Sequence, residues 1–335
     1  MKSSLLERLA SPCCAGPLRL DIKMQRGSEI EEGALVCAVC SRAYPITAGI
    51  PRLRENREIL SRTQESFSWE WTRYPGSRPE DRAVFLEESQ LSARDFQGKL
   101  VLDAGCGMGR YSLVVRAWGA EVVALDLSES LDRLMQAARS DPHLHVVQGD
   151  LLRPPFKKDS FDMVYSHGVL HHTPDTRQAF RALAPLVKPG GLLSVWLYGK
   201  AGRFKDFATN PLRPGRGGIG RHRRLAWLIV AIRQLISDSL RFFTTRLPLA
   251  VTYALCYPLA ALGAVPGLKY LTFSVETDFK VRLIEDFDWL SPPFQFHHTK
   301  EELSAWFVEA GYDILKVLPH GLVPKPGILG RRKQT

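Results

Sequence analysis

Cysteine is scarce in this chain of 335 residues: there are six, and four of them crowd between positions 13 and 40. A secreted scaffold held by disulfides needs a denser supply, so that class is excluded, and closely spaced pairs suit metal ligation in a reducing compartment. The start lacks a long apolar run, because Lys2, Glu7 and Arg8 interrupt its leucines. No secretory leader is therefore expected, and a cytoplasmic setting is. Internal repeats are missing as well. So is a disorder-type composition: 45% hydrophobic and 24% charged residues are ordinary for a globular chain with one large domain and a small one.

Acidic residues are rare in one stretch. Lys200 to Ala250 holds eleven basic residues against Asp206 and Asp238, a net charge of +9 out of +10 for the chain. Such a block favours phosphate in nucleic acid, lipid headgroups or a substrate, or else it forms a solvated basic face. Directly behind it, Leu247 to Leu268 contains no charged side chain at all. That length reaches a membrane span on hydropathy, but Pro248, Pro258 and Pro266 predict broken helices that form an apolar lid. The pair of features points to surface association with a membrane, or to an acceptor with an apolar body and an anionic group.

From Lys99 onward, short apolar runs at Leu100–Leu102, Val122–Leu125, His145–Val147, Met163–Tyr165 and Leu192–Leu197 alternate with helix-like stretches. This is the pattern of a parallel sheet with crossover helices, an open α/β domain. Thr299 followed by Glu302 has capping-box spacing, so a helix is predicted from about Lys300 to Ala310, with a strand from Ile314 to Leu318. Phe67, Trp69, Trp71 and Tyr74 fall within eight residues and need burial, over a cofactor or in a core.

The strongest signal is Val101-Leu102-Asp103-Ala104-Gly105-Cys106-Gly107-Met108-Gly109, a buried strand running into a glycine-rich turn. Glycines there let the backbone turn sharply and bring its amides against a ligand. Asp126 closes the next strand, where a carboxylate can accept from both hydroxyls of a ribose, and Asp150 closes the third, beside Leu151. The turn alone also fits dinucleotide oxidoreductases, but the third glycine of their fingerprint is missing. His171, His172 and Asp175 follow the fourth strand, at the sheet edge where ligands bind in open α/β folds. A histidine there is a candidate base, with packing at a helix entry as the competing role.

These residues, together with Phe161-Asp162 through His171-His172 and Lys188-Pro189-Gly190-Gly191, resemble the class I methyltransferases, especially those of ubiquinone and menaquinone biosynthesis. The match runs from about Leu100 to Tyr198. The resemblance implies a Rossmann-like, open, mostly parallel seven-stranded sheet with helices on both faces, and S-adenosyl-L-methionine as cofactor. It implies that Asp103, Gly105, Cys106, Gly107 and Gly109 contact or orient the methionine part, that Asp126 and Leu127 hold the ribose, that Asp150 and Leu151 hold the adenine, and that His167 lines the methionine end.

Residues 5–53 resemble the small zinc-ribbon proteins that activate tRNA and protein methyltransferases, through Leu5–Ala10, Gly16-Pro17-Leu18, Leu35–Cys40 and Tyr44-Pro45-Ile46. Two knuckles would supply four thiolates to Zn2+. Cys37 and Cys40 form an intact second knuckle. In the first, Ser11 stands where a cysteine is expected and leaves Cys14 in place; either Cys13 substitutes, or the unit folds without metal.

The expected organisation is a zinc-ribbon-like unit at 1–55, cofactor-covering helices at 56–98, the Rossmann-like core at 99–199, a helical insert or lid at 200–290, and a C-terminal helix and strands at 291–335. A methyltransferase acting on a small amphipathic acceptor (quinone, lipid-linked or natural product) is the leading function. An RNA methyltransferase using the ribbon and basic insert for phosphate contacts is the rival, disfavoured because the basic block has few interleaved aromatics. A silent binding module is the third reading, and the intact glycine turn with Asp126 counts against it.

Overall fold

The computed structural model describes residues 1–55, 58–200, 223–265, 268, 272–274, 276–318 and 325–334. Its strands are β1 (Leu18–Arg26), β2 (Glu29–Cys37), β3 (Ala43–Thr47), β4 (Ile50–Leu53), β5 (Leu100–Ala104), β6 (Glu121–Asp126), β7 (Leu144–Gly149), β8 (Phe161–His167), β9 (Val187–Trp196), β10 (Tyr312–Val317) and β11 (Gly327–Arg332). They form a single sheet in the order β1-β2-β3-β4-β7-β6-β5-β8-β9-β11-β10. The five apolar runs of the sequence are the parallel strands β5 to β9, and β11 pairs antiparallel with both β9 and β10.

The sheet has eleven strands where seven are expected, because the N-terminal unit is not a separate body. Its antiparallel strands β1 to β3 lead to β4, which pairs parallel with β7 through Arg52 opposite Gln148 and Leu53 opposite Gly149. β7 would otherwise present an open edge. Arg52 strengthens the join by donating to Gln148 Oε1 at 3.2 Å and Asp132 Oδ1 at 2.8 Å. One hydrophobic core runs through both parts, from Leu5, Leu35, Ile46 and Leu53 to Leu102, Leu125 and Val147.

The helices are α1 (Glu58–Arg73), α2 (Asp81–Ser89), α3 (Arg110–Ala117), α4 (Leu131–Ala138), α5 (Thr176–Leu183), α6 (Arg223–Thr244), α7 (Leu249–Leu262), α8 (Phe279–Leu290) and α9 (Lys300–Glu309). The capping box forms as the spacing requires, with Glu302 N–H donating to Thr299 Oγ1 and Thr299 N–H to Glu302 Oε2. Leu303, Trp306 and Phe307 then bury one face of α9.

Two expectations for the insert change. Pro258 does not break α7, which runs through it with the loss of one i→i−4 hydrogen bond; Pro266 lies outside the described residues. Nor do the described residues of the charge-free segment line the main cavity: Cys256 and Ala260 pack with Phe273, Leu283, Phe287 and Trp289, so α7 buttresses α8. Of the basic block, Arg203, Lys205, Arg213, Arg216 and Arg221 lie outside the described residues. Arg233 and Arg241 are buried and donate to the carbonyls of Phe273 and Pro292, so neither belongs to a solvated basic face. No helix among the described residues is long and apolar enough to cross a membrane.

Candidate functional site

A cavity of about 860 Å³ opens along the C-terminal ends of the parallel strands, between the sheet, α1 and α8. β5 delivers Asp103 and then the turn; β6 ends in Asp126; Asp150 follows β7; His167 ends β8. Asp103, Gly105, Cys106, Asp126, Leu127, Asp150, Leu151 and His167 all line this cavity.

The glycine turn has a steric cause at each position. Gly105, Gly107 and Gly109 have φ of +94°, +55° and +87°, which side chains rarely adopt. A Cβ on Gly105 would stand 2.4 Å from the Val169 side chain, and one on Gly109 2.3 Å from Leu134. Gly107 and Gly109 do not line the cavity. Gly107 packs beneath the Trp71 ring and donates its N–H to Asp126 Oδ2 at 2.8 Å, while Gly109 is the N-cap of α3. Asp126 Oδ1 accepts from Ser128 N–H at 2.8 Å, so backbone amides fix the carboxylate in place.

Burial sets the protonation of this end. It pushes the Asp103 carboxyl up to about 7, although Ser112 Oγ donates to it at 2.6 Å. It raises the Cys106 thiol and lowers His167 to about 4. His167 Nε2 is 2.9 Å from Ser194 Oγ.

The aromatic run before β5 divides between roles. Phe67, Trp71 and Tyr74 on and just after α1 line the cavity, whereas Trp69 turns outward against Tyr253 with Arg73 stacked over it. Glu70, between the two tryptophans, also faces the cavity.

The two histidines separate as well. His172 lines the cavity; its Nδ1 is 3.0 Å from the Phe294 carbonyl, which places the proton there, and its Nε2 is 3.6 Å from Asp288 Oδ1. Burial lowers its pKa against the opposing pull of Asp288, so the ring is neutral and Nε2 is free to accept a proton. His171, the other candidate base, lies off the cavity. It stacks on Tyr198 at 3.9 Å between ring centroids, and its Nδ1 accepts the Tyr198 N–H, which makes it a packing residue.

Residues outside the glycine turn and the strand-end acids complete the site. Tyr198 Oη donates to Asp288 Oδ2 at 2.5 Å, and Tyr198, Trp289 and Phe273 form a continuous stack. Glu285 and Asp288 enter from α8. The acid within the Trp69-Glu70-Trp71 run is the visible signal for Glu70; Asp288 and Trp289 belong to the segment of acids, Trp289, prolines and His297-His298 that stands out before the last helix, whereas the spacing around Glu285 carries none.

The four cysteines of the N-terminal unit meet at the loops beside β2. Cys13 Sγ is 2.9 Å from Cys40 Sγ, Cys14 Sγ is 3.4 Å from Cys37 Sγ, and the sulfurs of Cys13, Cys14 and Cys40 all lie within 4.8 Å of one another. Sulfurs at about 2.3 Å from a tetrahedral zinc stand about 3.8 Å apart, so this donor set fits that ion after a small adjustment. Ser11 is diverted: its hydroxyl is 3.1 Å from Tyr44 Oη, and Cys13 occupies the place beside Cys40.

Residues 102–195 match the family model described as a methyltransferase domain, and residues 2–49 match that of the Trm112p-like proteins. A malonyl-[acyl-carrier protein] O-methyltransferase of Salmonella typhimurium is 38% identical over 104 residues, 31% of this chain and 40% of the relative. A sterol 24-C-methyltransferase of Gibberella zeae is 31% identical over 138 residues, 39% of this chain and 36% of the relative. The chain thus spans well under half the length of these curated relatives. Among solved structures, the magnesium protoporphyrin IX methyltransferase of Synechocystis PCC 6803 with bound SAH is similar with a TM-score of 0.48 and 15% identity, over 82% of this chain and all of that one. This chain carries a methyltransferase domain joined behind a Trm112p-like domain.

Proposed function

We propose that the chain transfers a methyl group from S-adenosyl-L-methionine to a small amphipathic acceptor. The observation that carries this is one continuous cavity, with Asp103, Asp126 and Asp150 at its strand-end side and an aromatic stack with His172 and Asp288 at the other. S-adenosyl-L-methionine supplies the methyl on a sulfonium.

Asp126 and Leu127 hold the ribose, Asp150 and Leu151 the adenine edge, and the Gly105 backbone, oriented through Asp103, approaches the methionine part without a Cβ in the way. Phe67, Trp71 and Tyr74 cover that part and exclude water. Charge neutralisation at a sulfonium favours a dry, positioned site, and positioning carries much of the rate. Where the acceptor must lose a proton, His172 takes it at Nε2, held in orientation by the Phe294 carbonyl, and Asp288 stabilises the imidazolium that forms. Cys13, Cys14, Cys37 and Cys40 hold a zinc ion that closes the N-terminal strands and has no part in the reaction.

A tritiated-methyl transfer assay on fractionated cell extract tests the acceptor class. Label entering the organic-soluble pool in a protein-dependent manner is expected; label entering RNA or protein alone would overturn it.

A further inference from the structure

We infer that the acceptor is anchored by a positively charged organic group, an ammonium joined to an apolar body, which enters between Glu70 on α1 and the Glu285–Asp288 pair on α8. This deepens the methyl-transfer reading and rests on it. Glu70 is 4% exposed, faces the cavity, and its Oε2 has no hydrogen-bond partner among the described residues. A carboxyl taken out of water without a partner costs free energy unless a ligand supplies one.

The surrounding charges do not supply it. Glu285 and Asp288 stand one helical turn apart on α8 and line the same cavity. Burial, with Asp288, Glu285 and Asp126 nearby, drives the Glu70 carboxyl upward, and burial does the same to Glu285. The cations on the lining are committed elsewhere: Arg233 donates to the Phe273 carbonyl, Lys325 pairs with Glu88 at 3.2 Å, and Arg110 reaches Tyr74 and Asp81. Glu276, the fourth acid at this end, pairs with Arg78, while Glu285 accepts from Ser274 Oγ at 2.5 Å and Asp288 from Tyr198 Oη, which leaves Glu70 Oε2 as the buried unpartnered oxygen of the four acids among the described residues.

The spacing selects the kind of cation. Among the described residues only the cysteine cluster brings three ligand atoms within 4.8 Å, so these carboxylates are too far apart for the cage of a metal ion. An ammonium needs no such cage, since single carboxylates can each accept one of its N–H groups. The stacked Tyr198, Trp289 and Phe273, with ring centroids 5.0 and 5.4 Å apart, offer its organic body an apolar wall. An anionic group, the partner that the basic insert favours on composition, meets lining cations that already have partners here.

The test is calorimetry on the full chain saturated with S-adenosylhomocysteine, titrated with n-octylamine, 1-octanol and octanoate. Octylamine is expected to bind about ten-fold tighter than the other two. Glu70→Gln and Glu285→Gln should each erase that preference while affinity for S-adenosylhomocysteine stays within about two-fold. Equal or tighter binding of octanoate, or no binding of any of the three, would overturn the inference. Loss of S-adenosylhomocysteine binding in Glu70→Gln, with its melting temperature unchanged, would assign Glu70 to the cofactor and overturn it too. Failure of the wild-type chain to bind S-adenosylhomocysteine would instead remove the methyl-transfer reading beneath it.

Discussion

His172 Nε2 stands 3.6 Å from Asp288 Oδ1, and this pair joins the loop after β8 to α8 across the cavity. The two residues are 116 positions apart in sequence, so the pair exists only in the assembled fold.

Replacing that histidine should therefore strike the chemical step. For an acceptor that loses a proton, His172→Ala is expected to lower kcat by about 100-fold or more with a smaller effect on KM. The neutral ring is the active form, and its pKa lies below the ordinary histidine value of 6.5. Wild-type kcat should thus fall on acidification with a midpoint below that of an ordinary histidine, as Nε2 becomes protonated. A pH profile of kcat checks this; a limb that persists in His172→Ala assigns the titration to another group.

Gly109 can be tested through stability. Its φ of +87°, and the Leu134 side chain 2.3 Å from where an added Cβ would stand, leave no room for alanine. Gly109→Ala should cost about 1–3 kcal/mol of unfolding free energy, read by urea titration, because both strain and repacking of Leu134 are required.

The shared core carries a third expectation. Leu53 is fully buried where β4 meets β7, in one cluster with Leu125 and Val147. Leu53→Ala should lower global stability by about 2–5 kcal/mol, with a single unfolding transition. A separate early transition for the N-terminal unit would show that the two parts fold independently.

Metal content discriminates among the cysteines. Purified protein should hold about one zinc per chain, and Cys13→Ser or Cys37→Ser should reduce it sharply, whereas Ser11→Ala should not. Elemental analysis decides, and zinc retained fully in Cys13→Ser would return the fourth ligand to another donor.

The sequence exposes what local chemistry dictates. The apolar runs of β5 to β9, the glycine turn, the acids ending β6 and β7, and the Thr299–Glu302 cap each depend on neighbours a few residues away, and each was legible. β4 was not, because four residues ending a small unit read the same whether or not they pair with β7. The charge-free run behind Pro248 was legible as apolar, but not as a helix that buries Thr252, Cys256 and Ala260 beside α8 and leaves Val251, Leu255 and Tyr257 exposed, since apolarity does not name its partner. Glu70 and Asp288 face one cavity through the packing of α1 against α8, and no spacing rule connects segments so far apart. Basic composition misled for Arg233 and Arg241, whose guanidinium groups are spent on buried carbonyls.

Calorimetry with S-adenosylhomocysteine on the wild-type chain and on Asp126→Ala bears most directly on the cofactor site. Wild type should bind at one site per chain, and the variant, stripped of the carboxylate at the end of β6, should bind about 10- to 100-fold more weakly. No binding by the wild type, or undiminished affinity in Asp126→Ala, would contradict the assignment of this cavity to a sulfonium nucleoside.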